Sequence, residues 1–392
     1  MSENRIPVSH VGSLVRPPAL VEYLRKVQDD APYDKAAFEA CLTESVAEAV
    51  RRQAEAGVDI VSDGEYGKSV NWAFYVQRRL TGIERRPMSA AEQKDPTAVV
   101  IGGRDREAFP EFYSEYDARV LRNAATPVRP VVTGPLGYNP TELKHDIANL
   151  KAAMAQAKVT RGFLPVVAPA SALPNAKNEY YPDEQSYLFG LADALREEYK
   201  AVLDAGLDLQ VDDAFLPYMY EKLVPPMTMA QYRDWAALRV EATNRALKGL
   251  PRERTRYHIC WGSWNGPHMF DVAMKDIVDL VLKVDVGTYS FEAANPRHEH
   301  EWQVWKQVKL PPGKRIMPGV VTHSTNIVEH PELVAERLER FAQCVGRENV
   351  VAGTDCGFSQ SPLAGRVHWT IMWAKLRTLA EGARLASQRL WS

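Results

Sequence analysis

No run of eighteen apolar residues occurs in the 392-residue chain, so nothing in it reads as a membrane-spanning helix. The polar start MSENRIPVSH lacks the charged-then-apolar pattern of a secretory signal, and a cytoplasmic protein is expected. Basic blocks are missing too. The 48 Lys and Arg against 50 Asp and Glu leave a formal charge of −2, whereas nucleic-acid binding needs a cationic stripe. Nucleic acid and membrane are therefore excluded as partners, while a homo-oligomer is allowed. The four cysteines, Cys41, Cys260, Cys344 and Cys356, are too sparse for a disulfide scaffold. In a reducing compartment they are core fillers, ligands or reactive thiols. No short repeat, low-complexity tract or convincing linker divides the chain.

What is present is an alternation of short β-branched runs with longer amphipathic stretches, the form of repeated βα units. Strand candidates are 8–13, 58–65, 129–135, 163–170, 207–213, 256–262, 287–294, 315–321 and 349–355. Helix patterns with start and stop signals cover 43–57 (closing on Gly57), 183–206 (from Asp183 to Gly206) and 330–346 (Pro331 in the first turn). The reading is α/β: a single (β/α)8 TIM-type barrel over 1–392 with insertions near 84–125 and 129–160. Nine strand candidates exceed the eight that a closed barrel needs, and 129–135 is placed outside it. The charged stretch 84–125 lacks strong strand signals.

In such a barrel chemistry sits at the carboxyl ends of the strands. Polar residues fall there repeatedly: Ser13, Asp63, Glu65, Asp212, Asp213, His258, Cys260, Glu292, His323, Asp355 and Cys356. In "YHICWG", residues i and i+2 of a strand face one side, so His258 and Cys260 point together, their Cα atoms about 7 Å apart. Both can reach one ion, with Glu292 and Cys356 well placed to complete the set; two thiolates, an imidazole and a carboxylate select zinc. Taken from spacing alone, a hydrogen-bonded core histidine beside a small hydrophobic cysteine remains open. Cys41 and Cys344 lie in helix patterns and read as packing. Asp63 and Glu65 in "SDGEYG" read equally as helix caps. Of the adjacent pair, Asp212 faces inward by alternation from Val211. "NPRHEHEW", with His298 and His300, resembles a second metal cluster by composition but reads better as a polar rim. Tyr66, Trp72, Tyr218, Trp261, Trp264 and Phe358 are packing or pocket aromatics that sequence does not rank.

Laid along the chain, "HVGSLVRP", "SDGEYGK", "AGLDLQVDDA", "YHICWG", "YSFEAANPR", "PGVVTHS" and "GTDCGF" resemble the catalytic half of cobalamin-independent methionine synthase and its relatives, including the zinc-dependent epoxyalkane:coenzyme M transferases. The resemblance runs from about residue 9 to 380. It implies a (β/α)8 barrel whose Zn2+, held by His258, Cys260, Glu292 and Cys356, activates a small thiol for transfer from an alkyl donor. It also implies that Gly12, Ser13, Glu65 and Asp212 hold the amino-acid part of homocysteine, and that His323 matches the family's catalytic histidine. No tryptophan follows the Gly-Pro turn in "TGPLGYNPTEL", and Asp213-Ala214 stands where the family has Glu-Pro; the first departure speaks against a methyltetrahydrofolate donor.

The expected function is zinc-dependent S-methylation of a thiol, homocysteine to methionine or a close relative of that reaction, with His323 or Asp212 protonating the leaving group. Epoxide opening by a sulfonated thiol is the alternative, with Arg16, Lys68 and Arg297 as candidate anion-binding cations. A non-catalytic zinc barrel that binds a thiol metabolite, and a metal-free barrel of the uroporphyrinogen-decarboxylase type, are the readings of other classes.

Overall fold

In the computed structural model, residues 4–95, 102–120, 128–362 and 365–392 are described. Parts of the stretch expected as an insertion, 96–101 and 121–127, lie outside them. Nine strands form two sheets. β1 (Leu80–Pro87), β2 (Val128–Tyr138) and β4 (Lys177–Asn178) make a three-stranded sheet in the order β1-β2-β4. The larger sheet runs β3 (Phe163–Val167), β5 (Asp208–Asp212), β6 (Thr255–His258), β7 (Thr288–Glu292), β8 (Arg315–Val321) and β9 (Gly353–Thr354), with every neighbouring pair parallel. Its strands read as near-continuous buried runs, as expected where both faces are covered; every residue of β3, β6 and β7 is buried.

Six strands therefore form a curled parallel sheet where eight were expected. The segments 8–13 and 58–65 are not strands: each contributes a single parallel bridge, Val8 to Ala352 beside β9 and Val61 to Gly162 beside β3. The cause is local. Gly12 (φ 127°), Gly64 (φ 71°) and even Glu65 (φ 59°) adopt left-handed backbone that ends extended structure after two or three residues. Backbone hydrogen bonds nevertheless join the edges through these segments: Ser9 N–H donates to Ala352 O (2.9 Å), Asp59 N–H to Val8 O (2.9 Å) and Phe163 N–H to Val61 O (2.8 Å).

The stretch 129–135 lies in β2, in the separate sheet. Its partner β1 has no counterpart among the expected strands, because LTGIERRP ends in a charged run, is half exposed and carries no apolar alternation. Helix ends follow the sequence signals closely. Helix Glu184–Asp204 is capped by Asp183, which accepts from Ser186 N–H, and helix Pro331–Val345 begins with proline in its first turn and stops at Gly346 (φ 91°). The helix expected over 43–57 starts earlier, as Lys35–Glu55, because Asp34 caps it by accepting from Ala37 N–H. Cys41 and Cys344 pack, partly buried, against the core.

The smaller sheet is tied to helices Thr141–Ala157 and Glu184–Asp204 by an ionic knot. Arg79, 2% exposed, pairs with Glu198 (3.0 Å) and Asp146 (2.5 Å), while Tyr75 and Tyr138 hydroxyls donate to the same Glu198 carboxylate at 2.9 Å. Burial is tolerable here because every charge has a partner. Removing the cation alone leaves the buried Glu198 carboxylate and the partly buried Asp146 without their counter-charge: Arg79→Met is expected to cost about 3 kcal/mol, read as a lower urea midpoint with an unchanged slope, and a change of under about 0.5 kcal/mol would show that the knot contributes nothing.

Candidate active site

The carboxyl ends of the central strands set the site. Register pairs Asp212 on β5 with His258 on β6, and His258 with Ser290 on β7. The His258 ring is fixed on one side, where Nδ1 meets Ser290 Oγ at 3.0 Å. On its other side Nε2 is buried with no hydrogen-bond partner, an arrangement that costs about 1–3 kcal/mol unless something else binds it. Cys260 follows just past the strand. Cys356 arrives from the far side of the sheet, two residues after β9. Gly319 on β8 allows this: a Cβ there would stand 2.3 Å from Asp355 Cα, so only glycine lets the chain carrying Cys356 pass so close.

These three side chains converge. One ligand atom from each of His258, Cys260 and Cys356 lies within 4.8 Å of the others, and the two sulfurs are 3.8 Å apart. That is far too long for a disulfide. Two sulfurs each about 2.3 Å from one tetrahedral ion stand about 3.8 Å apart, so the spacing fits a metal. Ser263 Oγ donates to Cys356 Sγ at 3.0 Å. The Cys356 thiol is held well below its ordinary value by its contact with Cys260 and by His258, against the opposing effect of burial.

Glu292, at the end of β7, is not in that triad. It gathers instead with His323 and Asp355 in an adjoining buried group whose ligand atoms also lie within 4.8 Å of one another. Both Glu292 oxygens already accept hydrogen bonds, Oε1 from Trp261 N–H (3.1 Å) and Oε2 from Asn295 Nδ2 (2.9 Å). Asp355 Oδ1 is fixed by Ala293 and Ala294 N–H, while Asp355 Oδ2 and His323 Nδ1 have no partner. Burial lowers His323 to about 4, so it is neutral at pH 7. Neither Glu292 nor His323 lines the cavity.

A cavity of about 350 Å3 opens over the triad. Ser13, Glu65, Asp212, His258, Cys260 and Cys356 all line it. Gly12 stands behind, where a Cβ would meet Pro165 Cγ at 2.7 Å and Glu65 Oε1 at 3.1 Å. Glu65 is 2% exposed, with Oε1 3.6 Å from Lys68 Nζ and Oε2 without a partner. Asp212 accepts from Gln210 Nε2 (2.7 Å), and burial raises it to about 7, with His258 opposing. Asp213 is a structural neighbour: Tyr257 Oη (2.6 Å) and Ser171 Oγ (2.7 Å) hold its carboxylate.

Some sequence candidates lie elsewhere. Arg16 and Lys68 are spent on backbone carbonyls of Ser359, Glu65 and Pro165, and Arg297 donates to Met269 O; none lines the cavity. His298 is not on a rim. It is buried, stacked on Trp261 with centroids 3.7 Å apart, and held between Asp271 (3.0 Å) and Glu301 (2.8 Å), whereas His300 is exposed. Of the aromatics, Trp72, Tyr218 and Trp264 reach the cavity; Tyr66, Trp261 and Phe358 are core. Sequence reasoning missed the mouth. Tyr113, Tyr116 and Arg106, from or beside helix Pro110–Val120, line it together with Gln360 and Arg366. The aromatic cluster in PEFYSEYDARV was the one signal available for the first group, and a lone arginine in "PLAGRVHW" offered none.

The fold and this cluster define a parallel α/β protein with a buried thiol–imidazole–carboxylate site at the ends of its strands. The model of the cobalamin-independent synthase catalytic domain matches residues 174–383, more than half of the chain, and the protein belongs to that family. It is 25% identical over 414 aligned residues to 2-hydroxypropyl-CoM lyase of Xanthobacter autotrophicus, covering 98% of this chain and 96% of that one. Identity to the methionine synthase of Sulfolobus acidocaldarius is 24% over 362 residues, covering 91% and 87%. Among solved structures, a B12-independent methionine synthase from Shewanella sp. W3-18-1 shares the fold with a TM-score of 0.71 at 20% identity, covering 98% of this chain and 99% of that chain.

Beside the site, burial and then Asp146 raise Asp63 from 3.8 to about 7. The folded chain thus keeps a proton that the unfolded chain releases near pH 4, so this group's contribution to stability is full below pH 4 and falls as pH rises toward 7. Asp63→Asn removes the penalty while its side-chain oxygen can still accept from Glu65 N–H. In metal-free protein the variant is expected to gain on wild type between pH 5 and pH 8 in urea midpoint; an unchanged difference would mean that Asp63 ionises normally.

Proposed function

We propose that this protein is a zinc-dependent alkyltransferase that S-methylates a small thiol, homocysteine to methionine or a close relative of that reaction. The observation that carries the reading is the pair of sulfurs 3.8 Å apart facing an imidazole nitrogen with no other partner. In this reading the bridges at Val8 and Val61 stand for the first two strands of a (β/α)8 barrel. His258, Cys260 and Cys356 hold the ion, with Glu292 as fourth ligand after its side chain leaves the Trp261 and Asn295 donors. When bound, zinc supplies a Lewis acid that favours the deprotonated form of a substrate sulfur at neutral pH.

Gly12, Ser13, Glu65 and Asp212 take the amino-acid part of the substrate. Two carboxylates lining one wall suit an ammonium group. The chemistry is a displacement: a sulfur–carbon bond forms, the bond from that carbon to the donor breaks, and the donor atom takes a proton. Asp212 is the better proton source. It lines the cavity with a value near 7, whereas His323 is set back and neutral. Deprotonation contributes little by itself: a thiol of pKa about 8.5 is roughly 3% thiolate at pH 7, and lowering its basicity gives back roughly a log unit of nucleophilicity. The larger gain comes from holding sulfur and carbon in line within an aromatic-walled pocket, where effective molarities reach about 10⁵ M.

Alkylation of a sulfonated thiol is the second reading, favoured by the similarity to 2-hydroxypropyl-CoM lyase along nearly the whole chain. Mass spectrometry of products after incubating zinc-loaded protein with homocysteine or coenzyme M and a panel of alkyl donors separates the two. Cys356→Ser is expected to lose stoichiometric zinc and at least about a hundredfold in rate. Full activity in a Cys356→Ser protein that binds no metal would end the proposal.

A further inference from the structure

Two arginines line the cavity, and their surroundings differ. Arg106 is neutralised by a two-pronged pair with Asp117 (2.5 and 3.0 Å) and lies over the Tyr113 ring at 4.3 Å. Arg366 makes no ion pair with any carboxylate among the described residues. Its Nη1 donates to the Gln360 side-chain oxygen at 3.1 Å, and Tyr116 is its other side-chain partner. The same Gln360 turns its amide nitrogen toward Cys356 Sγ at 3.9 Å. One glutamine side chain thus separates this guanidinium, whose charge the Cys356 and Cys260 sulfurs favour, from the sulfur of a proposed metal ligand. Glu65 and Asp212, both buried, line the same cavity, and both are within electrostatic reach of Cys356.

A partly buried cation facing a cavity with no carboxylate partner among the described residues gains when a ligand brings an opposite charge. Guanidinium geometry matches a carboxylate or sulfonate with two parallel N–H···O bonds. A sulfur placed at the triad, carrying an acid group two to four bonds away, would set that group within reach of Arg366. We propose that Arg366 is the specificity-determining residue for the thiol: it receives the acid group of an acid-bearing thiol substrate, while Glu65 and Asp212 face any ammonium group that the same molecule carries. This rests on the thiol-binding reading of the triad and narrows it. Neutral thiols are poor substrates, and a thiol with both charges engages both the arginine and the carboxylates.

The test is equilibrium binding to zinc-loaded full-length protein, by calorimetry, of four thiols of similar length: 3-mercaptopropionate and 2-mercaptoethanesulfonate (acid), cysteamine (ammonium) and 2-mercaptoethanol (neither). In Arg366→Met, with zinc content and melting temperature matching wild type, the two acids are expected to weaken at least about tenfold and the other two to stay within about twofold. Arg366→Lys is expected to recover part of the loss, which guards against a merely structural effect of the first variant. Preference for the carboxylate or the sulfonate in wild type separates an amino-acid thiol from a sulfonated one. Equal weakening of all four thiols, or of none, overturns the role of Arg366 while leaving the thiol site standing. Failure of all four to bind wild type overturns the thiol reading itself and this inference with it.

Discussion

Two cysteine sulfurs and an imidazole nitrogen without a hydrogen-bond partner, crowded into one buried space, form an arrangement that the chain cannot hold cheaply, and the geometry of the site follows from holding it. The sulfurs come from positions 96 residues apart. Only the register of a parallel sheet can bring the end of β6 and the segment after β9 to face each other across an interior. Gly319 is one such device, since it removes the side chain that would push Asp355 and Cys356 away. Ser290 is another, because it fixes one ring nitrogen of His258 and so aims the other at the sulfurs. The energy to hold these groups comes from strands buried on both sides, not from the cluster itself.

Beneath the site the interior is polar, which a simple barrel core would not be. Arg256 is buried there with its guanidinium over the Phe163 ring at 3.6 Å, donating to Gln210 Oε1 (2.6 Å), Ser9 Oγ (2.8 Å) and His10 O (2.8 Å). Gln210 in turn donates to Asp212 and to Val11 O. A single cation therefore joins β6, β5 and the first segment of the chain, and its hydrogen-bond chain ends on a carboxylate that faces the cavity. Burial, against the raising effect of Asp208 and Asp212, pushes Arg256 down to about 9, so it remains charged at neutral pH. The layer that stabilises the interior also orients Asp212, and packing and chemistry are not separable at this point.

How much of this was legible in the sequence depends on which forces set each part. His258 and Cys260 were legible because strand periodicity is a local rule, and Asp212 over Asp213 followed from the same alternation. Helix ends at Asp183, Gly206 and Pro331 were legible for the same reason, as caps and breakers act within a turn. The N-terminal segments read as full strands because "VSHVGS" and "VDIVSDGE" have strand composition; left-handed backbone at Gly12, Gly64 and Glu65, which shortens each to a bridge, is fixed by what those residues must avoid in three dimensions. The His298 network read as a surface rim because sequence shows composition but not burial. Its partner Asp271 lies 27 residues away.

The mouth of the cavity was illegible for a deeper reason. The floor is built by strand ends, where spacing carries information, but the rim is built by chain between the elements: helix Pro110–Val120 and the segment after Cys356. In parallel α/β proteins such loops vary while the scaffold stays constant. The floor's donor set resembles that of a whole family, so it identifies a type of chemistry and little else. Substrate choice then falls to the side chains around the mouth, Arg106, Tyr113, Tyr116 and Arg366. Of these, Arg106 already has its counter-charge in Asp117, and the two tyrosines bring aromatic faces and hydroxyls. Among the described residues Arg366 has no carboxylate partner at the mouth, and a rim that offers such a cation above two sulfurs is the physical basis for proposing that the pocket selects acids among thiols.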